Sequence, residues 1–433
     1  MKMAYIEAQL ISKEKNLTWL LYAFLLTVFA MATPFELRFS VHGWMSLSEA
    51  AAKIESGSLS RQVSLITLGV FAIVSLFWDS RNRIRINGVL GYIVIFFLFL
   101  AVLSVIYSIN RMFTIRRVVV LFMLSLGALA VAKRLTLRQI LLLAFCAGIF
   151  SLVSGFLCEV VLGTFKPFEG VYRFTGVLGP NFQASNCSML LIAAVALAHK
   201  AKGTRIRSFY LAIACLSFVF LILTKSRGGM VGATVGLVTY GGLMSPRKTA
   251  VCLFTILFFA CAVYLVASDE LGAFGKRLLT LGRTDIGDIG QNLTTLTGRT
   301  HLWTTTVFSA TQEHLLFGYG YDSFWSASRV AAQKEGYELG STHNGYLHIL
   351  LGLGLTGAIT YVLIRILGII AYIRLFRKAR NTEHASAVAL LISFSLIIVF
   401  LDLPLKPYLA TFIDMTILAK IAFIARSAHN RGF

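Results

Sequence analysis

The chain has 433 residues, 57% of them hydrophobic and only 14% charged, with a formal net charge of +21. This composition excludes a disordered chain, and the gathering of apolar residues into long blocks separated by short basic stretches argues against a soluble globule. Twelve spans of about 20 residues need roughly 240 apolar positions, close to what the composition supplies.

In chain order the apolar cores fall at about 17–32, 63–77, 88–109, 118–131, 140–158, 186–198, 209–224, 230–244, 250–267, 344–373, 387–400 and 409–425. They predict an all-α polytopic membrane protein of about 12 transmembrane helices, with a large external loop between spans 9 and 10. Short cores require helices that run into their flanks, and the core at 344–373 is long enough to tilt or break. The first block reads as a retained span because no cleavage pattern follows it. Cys146, Cys158, Cys187, Cys215, Cys252 and Cys261 lie in or beside the blocks without zinc or disulfide spacing and read as packing residues.

Lysine and arginine set the orientation. With the N-terminus inside, basic density is about 0.30 per residue in the inner segments and about 0.11 in the outer ones, which places both termini in the cytoplasm. The outer face then carries long segments at 33–62, 159–185 and 268–343. The last exceeds ordinary connections and holds many aromatic residues, so it reads as an ordered cap, with an amphipathic helix over Arg299–Glu313. Residues 1–433 form a single membrane bundle, and the cap at 268–343 belongs to the same unit.

The positive charge does not imply nucleic acid, since no basic strip is interleaved with aromatic residues. Four outer stretches instead gather groups suited to an anionic ligand. Arg173 opens the run Arg173-Phe-Thr-Gly-Val-Leu-Gly-Pro-Asn181, ahead of Asn186, where a turn would hold the guanidinium at the boundary. Arg227 follows Lys225-Ser226 in a hairpin too short to leave that boundary, where a reduced dielectric strengthens attraction to an anion; Gly228 and Gly229 would let a large headgroup approach. Gly298 allows a turn that places Arg299 in the first turn of a helix, with Trp303 one turn later. His343 stands where the outer loop meets a helix and can accept a proton near neutral pH; His348 lies deeper.

Each group also has a plain structural reading: snorkelling arginines, an interfacial anchor and a hydrogen-bonded histidine. Gly318-Tyr-Gly-Tyr-Asp-Ser-Phe-Trp325 offers Tyr319, Tyr321 and Trp325 as rings for sugar faces and Asp322 as an acid, or else packs locally. No phosphate loop, dinucleotide fingerprint or outer carboxylate cluster is present, so neither a cofactor nor a metal is expected. A cation-lined outer cavity suits a polyprenyl diphosphate, whose lipid stays in hydrocarbon.

These motifs resemble the O-antigen ligase and polysaccharide polymerase superfamily. The resemblance rests on Arg227-Gly228, on Gly298-Arg299 near Trp303, and on His343-Asn344 followed by nine residues and Gly354-Leu-Thr-Gly357, and it is clearest over 171–360. It implies a bacterial inner-membrane glycosyltransferase, metal-independent and inverting. Such an enzyme takes a glycan from an undecaprenyl-diphosphate-linked donor on the periplasmic face and passes it to a glycan acceptor. Arg227, Arg299 and Arg173 would bind the diphosphate, His343 would activate the acceptor hydroxyl, and Gly228, Gly298, Gly354 and Gly357 would shape loops and helices.

Leu296–Trp303 and Gly318–Trp325 look most similar to exopolysaccharide polymerases of the succinoglycan type, which would work beside chain-length or export proteins. The other readings are an O-antigen ligase acting on lipid A core, and a lipid-linked glycan transporter or non-enzymatic assembly component. Arg365 within a span allows the transporter, although no paired repeats are visible.

Overall fold

The structure, a computed structural model, describes residues 18–29, 59–78, 83–169, 172–247, 303–304, 308–325, 342–401 and 405–424. Its helices are α1 (Thr18–Phe29), α2 (Leu59–Trp78), α3 (Gly88–Tyr107), α4 (Arg111–Arg134), α5 (Leu137–Val161), α6 (Pro180–Lys200), α7 (Thr204–Leu223), α8 (Arg227–Met244), α9 (Phe308–Glu313), α10 (Gly345–Ala379), α11 (Thr382–Phe400) and α12 (Leu409–Phe423). Among the described residues there is no strand, only an isolated bridge between Ile84 and Ile424.

Among the described residues eight helices, α2 to α7, α10 and α11, are long and apolar enough to cross a membrane, and the chain is a multi-pass membrane protein. The expected twelve spans also include α1 and α12, which are short, α8, which is diluted by glycine, and the core at 250–267, which lies outside the described residues. The cores at 63–77, 118–131, 140–158, 186–198, 230–244 and 387–400 sit inside longer helices: the core at 118–131 becomes α4, whose Asn110 side chain accepts from the Phe113 amide at its start.

Contacts between non-neighbouring segments sort to two ends of the bundle. At one end basic side chains close helix C-termini, where carbonyls lack intrahelical donors. Lys133 donates to the Leu76 carbonyl at 2.7 Å, and Lys420 donates to those of Ala132 and Leu135 at 2.7 and 2.6 Å. Lys200 pairs with Glu383 across α6 and α11 at this end. The basic excess of these turns thus has a local use beyond orientation.

In the interior, lipid offers no hydrophobic force between helices, so close approach and polar contacts bind them. Gly228, Gly232 and Gly236 recur every four residues on one face of α8. A Cβ there would lie 2.6 Å from Phe400, 2.5 Å from Ile397 and 2.6 Å from Ile192, so α8 packs backbone-close on α11 and α6. The space at Gly228 that the hairpin was expected to open for a headgroup is therefore filled by Phe400. Asn186, expected at a span boundary, is buried inside α6 and donates to Ser151 Oγ at 2.8 Å, which in turn donates to Gln183 Oε1 at 3.1 Å. Cys187 is buried and Cys146 and Cys158 half-buried, as packing residues would be, whereas Cys215 is exposed; all four are free thiols.

Candidate active site

The end opposite the lysine caps is built around the N-termini of α6, α8 and α10 and the C-terminus of α11. Its first corner depends on Glu159, buried in the last turn of α5. Its Oε1 accepts from the Thr175 amide at 2.7 Å, the Thr175 hydroxyl at 2.8 Å and the Gly176 amide at 2.8 Å, while the Tyr172 hydroxyl donates to Oε2 at 2.5 Å. Burial and then the hydrogen bond to Glu159 push the Tyr172 pKa up, so this hydroxyl stays protonated as a donor.

Arg173 lies inside the loop that Glu159 ties down. Its Nε donates to the Thr224 carbonyl at 3.0 Å and its terminal nitrogen donates to Asn181 Oδ1 at 3.2 Å. Phe174 donates from its amide to the Leu223 carbonyl at 2.8 Å. The 172–181 loop is thereby fastened to the 224–226 turn, and Arg227 opens α8 after the cap in which Ser226 accepts from the Gly229 amide. Arg173 and Arg227, far apart in sequence, flank two neighbouring helix N-termini whose free amides also favour anions.

The second corner is the start of α10. His343 is half-buried with φ of 50°, a left-handed conformation that non-glycine residues adopt mainly under local constraint. That constraint is visible on both sides. Asn344 caps α10, accepting from the Tyr346 and Leu347 amides at 3.0 and 3.2 Å, and Thr342 donates from its hydroxyl to the Asn344 carbonyl at 2.7 Å. Trp303 Nε1 donates to the Thr342 carbonyl at 2.9 Å, fixing the cap segment next to His343.

Tyr346 donates to the Ser395 carbonyl at 3.1 Å, and the Cβ position of Gly228 abuts Phe400. Both corners therefore stand on the last turns of α11, and Arg227 and His343 share one end of the bundle.

Of the two outcomes expected for the long tenth core, tilting or breaking, the helix breaks, at Gly354 (φ 65°, ψ −164°). Breaking a helix strands carbonyls before the break and amides after it, and in a bilayer these must find partners. The 315–320 loop supplies partners for four of them. Leu351 and Gly352 accept from the Tyr319 and Gly320 amides, each at 2.9 Å, while Leu355 and Thr356 donate to the Leu315 and Leu316 carbonyls at 2.8 and 3.3 Å. A Cβ on Gly354 would sit 2.3 Å from Leu316 backbone, and one on Gly318 2.6 Å from Gly354 itself. Gly357 follows the break, its Cβ position pressed on Leu353.

Gly354→Ala combines a forbidden backbone conformation with a backbone collision, each worth about 1–3 kcal/mol or more. It is expected to lower the detergent melting temperature by several degrees or abolish the folded peak in size-exclusion chromatography, while Leu353→Ala retains that peak.

This docking brings Asp322, itself at φ of 55°, over α10. His348 Nε2 lies 2.5 Å from Asp322 Oδ1 and Arg117 Nε 3.0 Å from Oδ2. Burial opposes the Asp322 charge, but Arg117, Lys406 and His348 outweigh it and hold the carboxyl well below the usual carboxylate range. A carboxyl so lowered adds stability in full above the ordinary aspartate value near pH 4 and loses it as pH falls towards the lowered one. Asp322→Asn should therefore melt earlier than the parent near neutral pH, and the gap should shrink below about pH 4 in a thermal-shift series.

The expected sugar platform is closed in this structure. Tyr319, Tyr321 and Trp325 are 3%, 8% and 4% exposed; Tyr319 donates to Glu313 at 2.9 Å, and the Phe324 ring packs between those of Tyr319 and Trp325. These rings hold the loop together, the packing alternative. Of the amphipathic helix expected over Arg299–Glu313, Trp303–Thr304 form part of a π turn and Phe308–Glu313 form α9; Gly298 and Arg299 lie outside the described residues.

Glu159, Arg117 and Lys406, which the sequence did not single out, complete the end. Glu159 was legible only as a lone acid closing an apolar block, and Arg117 and Lys406 join His348, which the sequence placed deeper, only through the docked loop. Arg365, the charge that allowed a transporter, is closed inside the bundle on Asp414, Ser395 and the Leu391 carbonyl.

A search of curated proteins finds no match to the chain. Residues 212–362, which run from α7 into α10 and include Arg227, Arg299 and His343, match the family model described as O-antigen ligase, and this third of the chain carries the superfamily resemblance.

Proposed function

We propose that the protein is a membrane glycosyltransferase that polymerises undecaprenyl-diphosphate-linked repeat units into exopolysaccharide on the periplasmic face of a bacterial inner membrane. The observation that carries this reading is the shared end of the bundle: Arg227 and Arg173 around two helix N-termini, and His343 on the opposite flank of the α11 terminus. Termini in the cytoplasm and the lysine-capped end facing inward agree with the basic density of the loops.

In this mechanism Arg227, Arg173 and Arg299 hold the diphosphate and oppose the charge that grows on it as the glycosyl bond breaks. Arg299 lies four positions before Trp303, at most about 14 Å of extended chain, and Trp303 is hydrogen-bonded to Thr342 beside His343. The imidazole takes the acceptor's proton while the acceptor oxygen bonds to the anomeric carbon and the lipid diphosphate departs from the other side, inverting that carbon. The chemistry draws its energy from the donor bond and assigns no step to a metal. Asp322 and His348 brace the loop on α10, and Tyr319, Tyr321 and Trp325 act through packing.

Glu159→Gln would turn an acceptor of four hydrogen bonds partly into a donor facing donors, releasing the loop that carries Arg173. We expect the donor KM to rise about tenfold with a smaller change in kcat, read from initial rates with a defined lipid-linked donor.

The family description matched by residues 212–362 favours a second reading, transfer to lipid A core. Purified protein given a defined undecaprenyl-diphosphate glycan, alone and with lipid A core, separates the two. Longer lipid-linked chains in the first mixture support the polymerase. Product only in the second makes the protein a ligase, and translocation in vesicles without product in either mixture would mean a carrier.

A further inference from the structure

A second polar site lies away from the arginines, inside the bundle. Arg365 on α10 and Asp414 on α12 form an ion pair at 3% and 5% exposure, with Arg365 also donating to Ser395 Oγ at 3.0 Å and to the Leu391 carbonyl at 2.7 Å. Three donors of the guanidinium are thus engaged, but only one carboxylate oxygen is. Asp414 Oδ1 is buried with no hydrogen-bond partner among the described residues. A buried carboxylate oxygen without a donor is costly anywhere and more so at membrane depth.

Asp414 also lines a cavity of about 340 Å³ between α3, α4, α10, α11 and α12, whose walls are almost entirely apolar side chains such as Phe97, Leu121, Phe394 and Leu418. Tyr361 lines the same cavity and is near enough to feel the charges of Arg365 and Asp414. The cavity reaches the side of α3 that carries the exposed Ile95, so a molecule could enter from the hydrocarbon.

An apolar slot with a carboxylate oxygen needing a donor and a phenol able to donate matches a hydroxyl on an apolar chain. The hydroxyl donates to Asp414 Oδ1 and accepts from Tyr361, and the chain fills the slot. A phosphate is excluded by the carboxylate. A volume near the lower limit of ligand pockets suits one chain and not two.

We infer that this cavity is a binding site for a single-chain lipid alcohol, held through its hydroxyl by Asp414 and Tyr361. The site is separate from the diphosphate corner and does not rest on the transfer reading. It joins α12 to α10 below the Gly354 break, so its occupant would brace the helix that presents His343.

The test uses full-length protein in nanodiscs of phosphatidylethanolamine and phosphatidylglycerol, with a diazirine-bearing C20 prenol as probe. Saturable labelling of α4 and α12 peptides is expected, competed by the unlabelled prenol and about fivefold less well by its methyl ether, which has no donor. Tyr361→Phe, which keeps the ring, should weaken prenol competition several-fold, and Ala128→Phe, which fills the slot, should abolish labelling. Should Ala128→Phe fail to fold, the ether comparison and Tyr361→Phe still decide.

Equal competition by prenol and ether would make the cavity a slot for any alkyl chain and overturn the proposal. Equal competition by a diacylglycerol, or no saturable labelling, would overturn it as well.

Discussion

Arg227→Ala is expected to reduce glycan transfer by about 10² to 10³, the usual effect of removing one preorganised group that meets charge developing in a transition state. Arg227 starts α8 directly after the Ser226 cap, and the glycine face behind it packs against α11 and α6. Truncating its side chain should therefore leave the bundle folded. Arg227→Lys keeps the charge but loses the planar fork and should remain well below the parent. Arg299→Ala should behave in the same way. The measurement is the rate of lipid-linked product with defined donor, together with the melting temperature of each variant. Full turnover in both alanine variants would remove the diphosphate clamp from the mechanism.

The second large effect is expected at His343. His343→Ala should lower kcat by about 10² to 10⁴, the range of positioned general bases, while donor affinity changes little. The separation is testable because His343 is held by backbone on both sides, by the Asn344 cap and by the Trp303 bond to Thr342. Donor binding can be followed by protection of the protein against thermal unfolding. Parallel loss of donor protection and of folded protein would show that the histidine serves only the helix start. His343→Asn gives an independent check, since asparagine tolerates the left-handed backbone but cannot take up the proton. Its fold should survive and its turnover should not.

The sequence by itself determined the class of the molecule and most of its helices. Long apolar blocks cannot remain in water, and in lipid a helix satisfies its own backbone, so block order alone predicts helix order. It also marked Arg227, Arg173 and His343, because a charged or titratable group fixed between two apolar blocks has few places to go. The excess length of α10 announced a tilt or a break, and Gly354 and Gly357 were marked as shaping residues without the break being assigned to either.

Only the tertiary structure decided what those groups touch. The hydrogen-bond exchange between the 315–320 backbone and the broken helix carries Asp322 to His348 and to Arg117, and no local pattern encodes the second pairing, whose partners lie some 200 residues apart. The same folding turned the aromatic rings of that loop inward, filled the space at Gly228 with Phe400, and placed Glu159 beneath Arg173. Periodicity reports which face of a helix avoids water, and in a membrane nearly every face does. The choice of neighbour is then left to close packing and to the few buried polar atoms, and these act only once the helices have met.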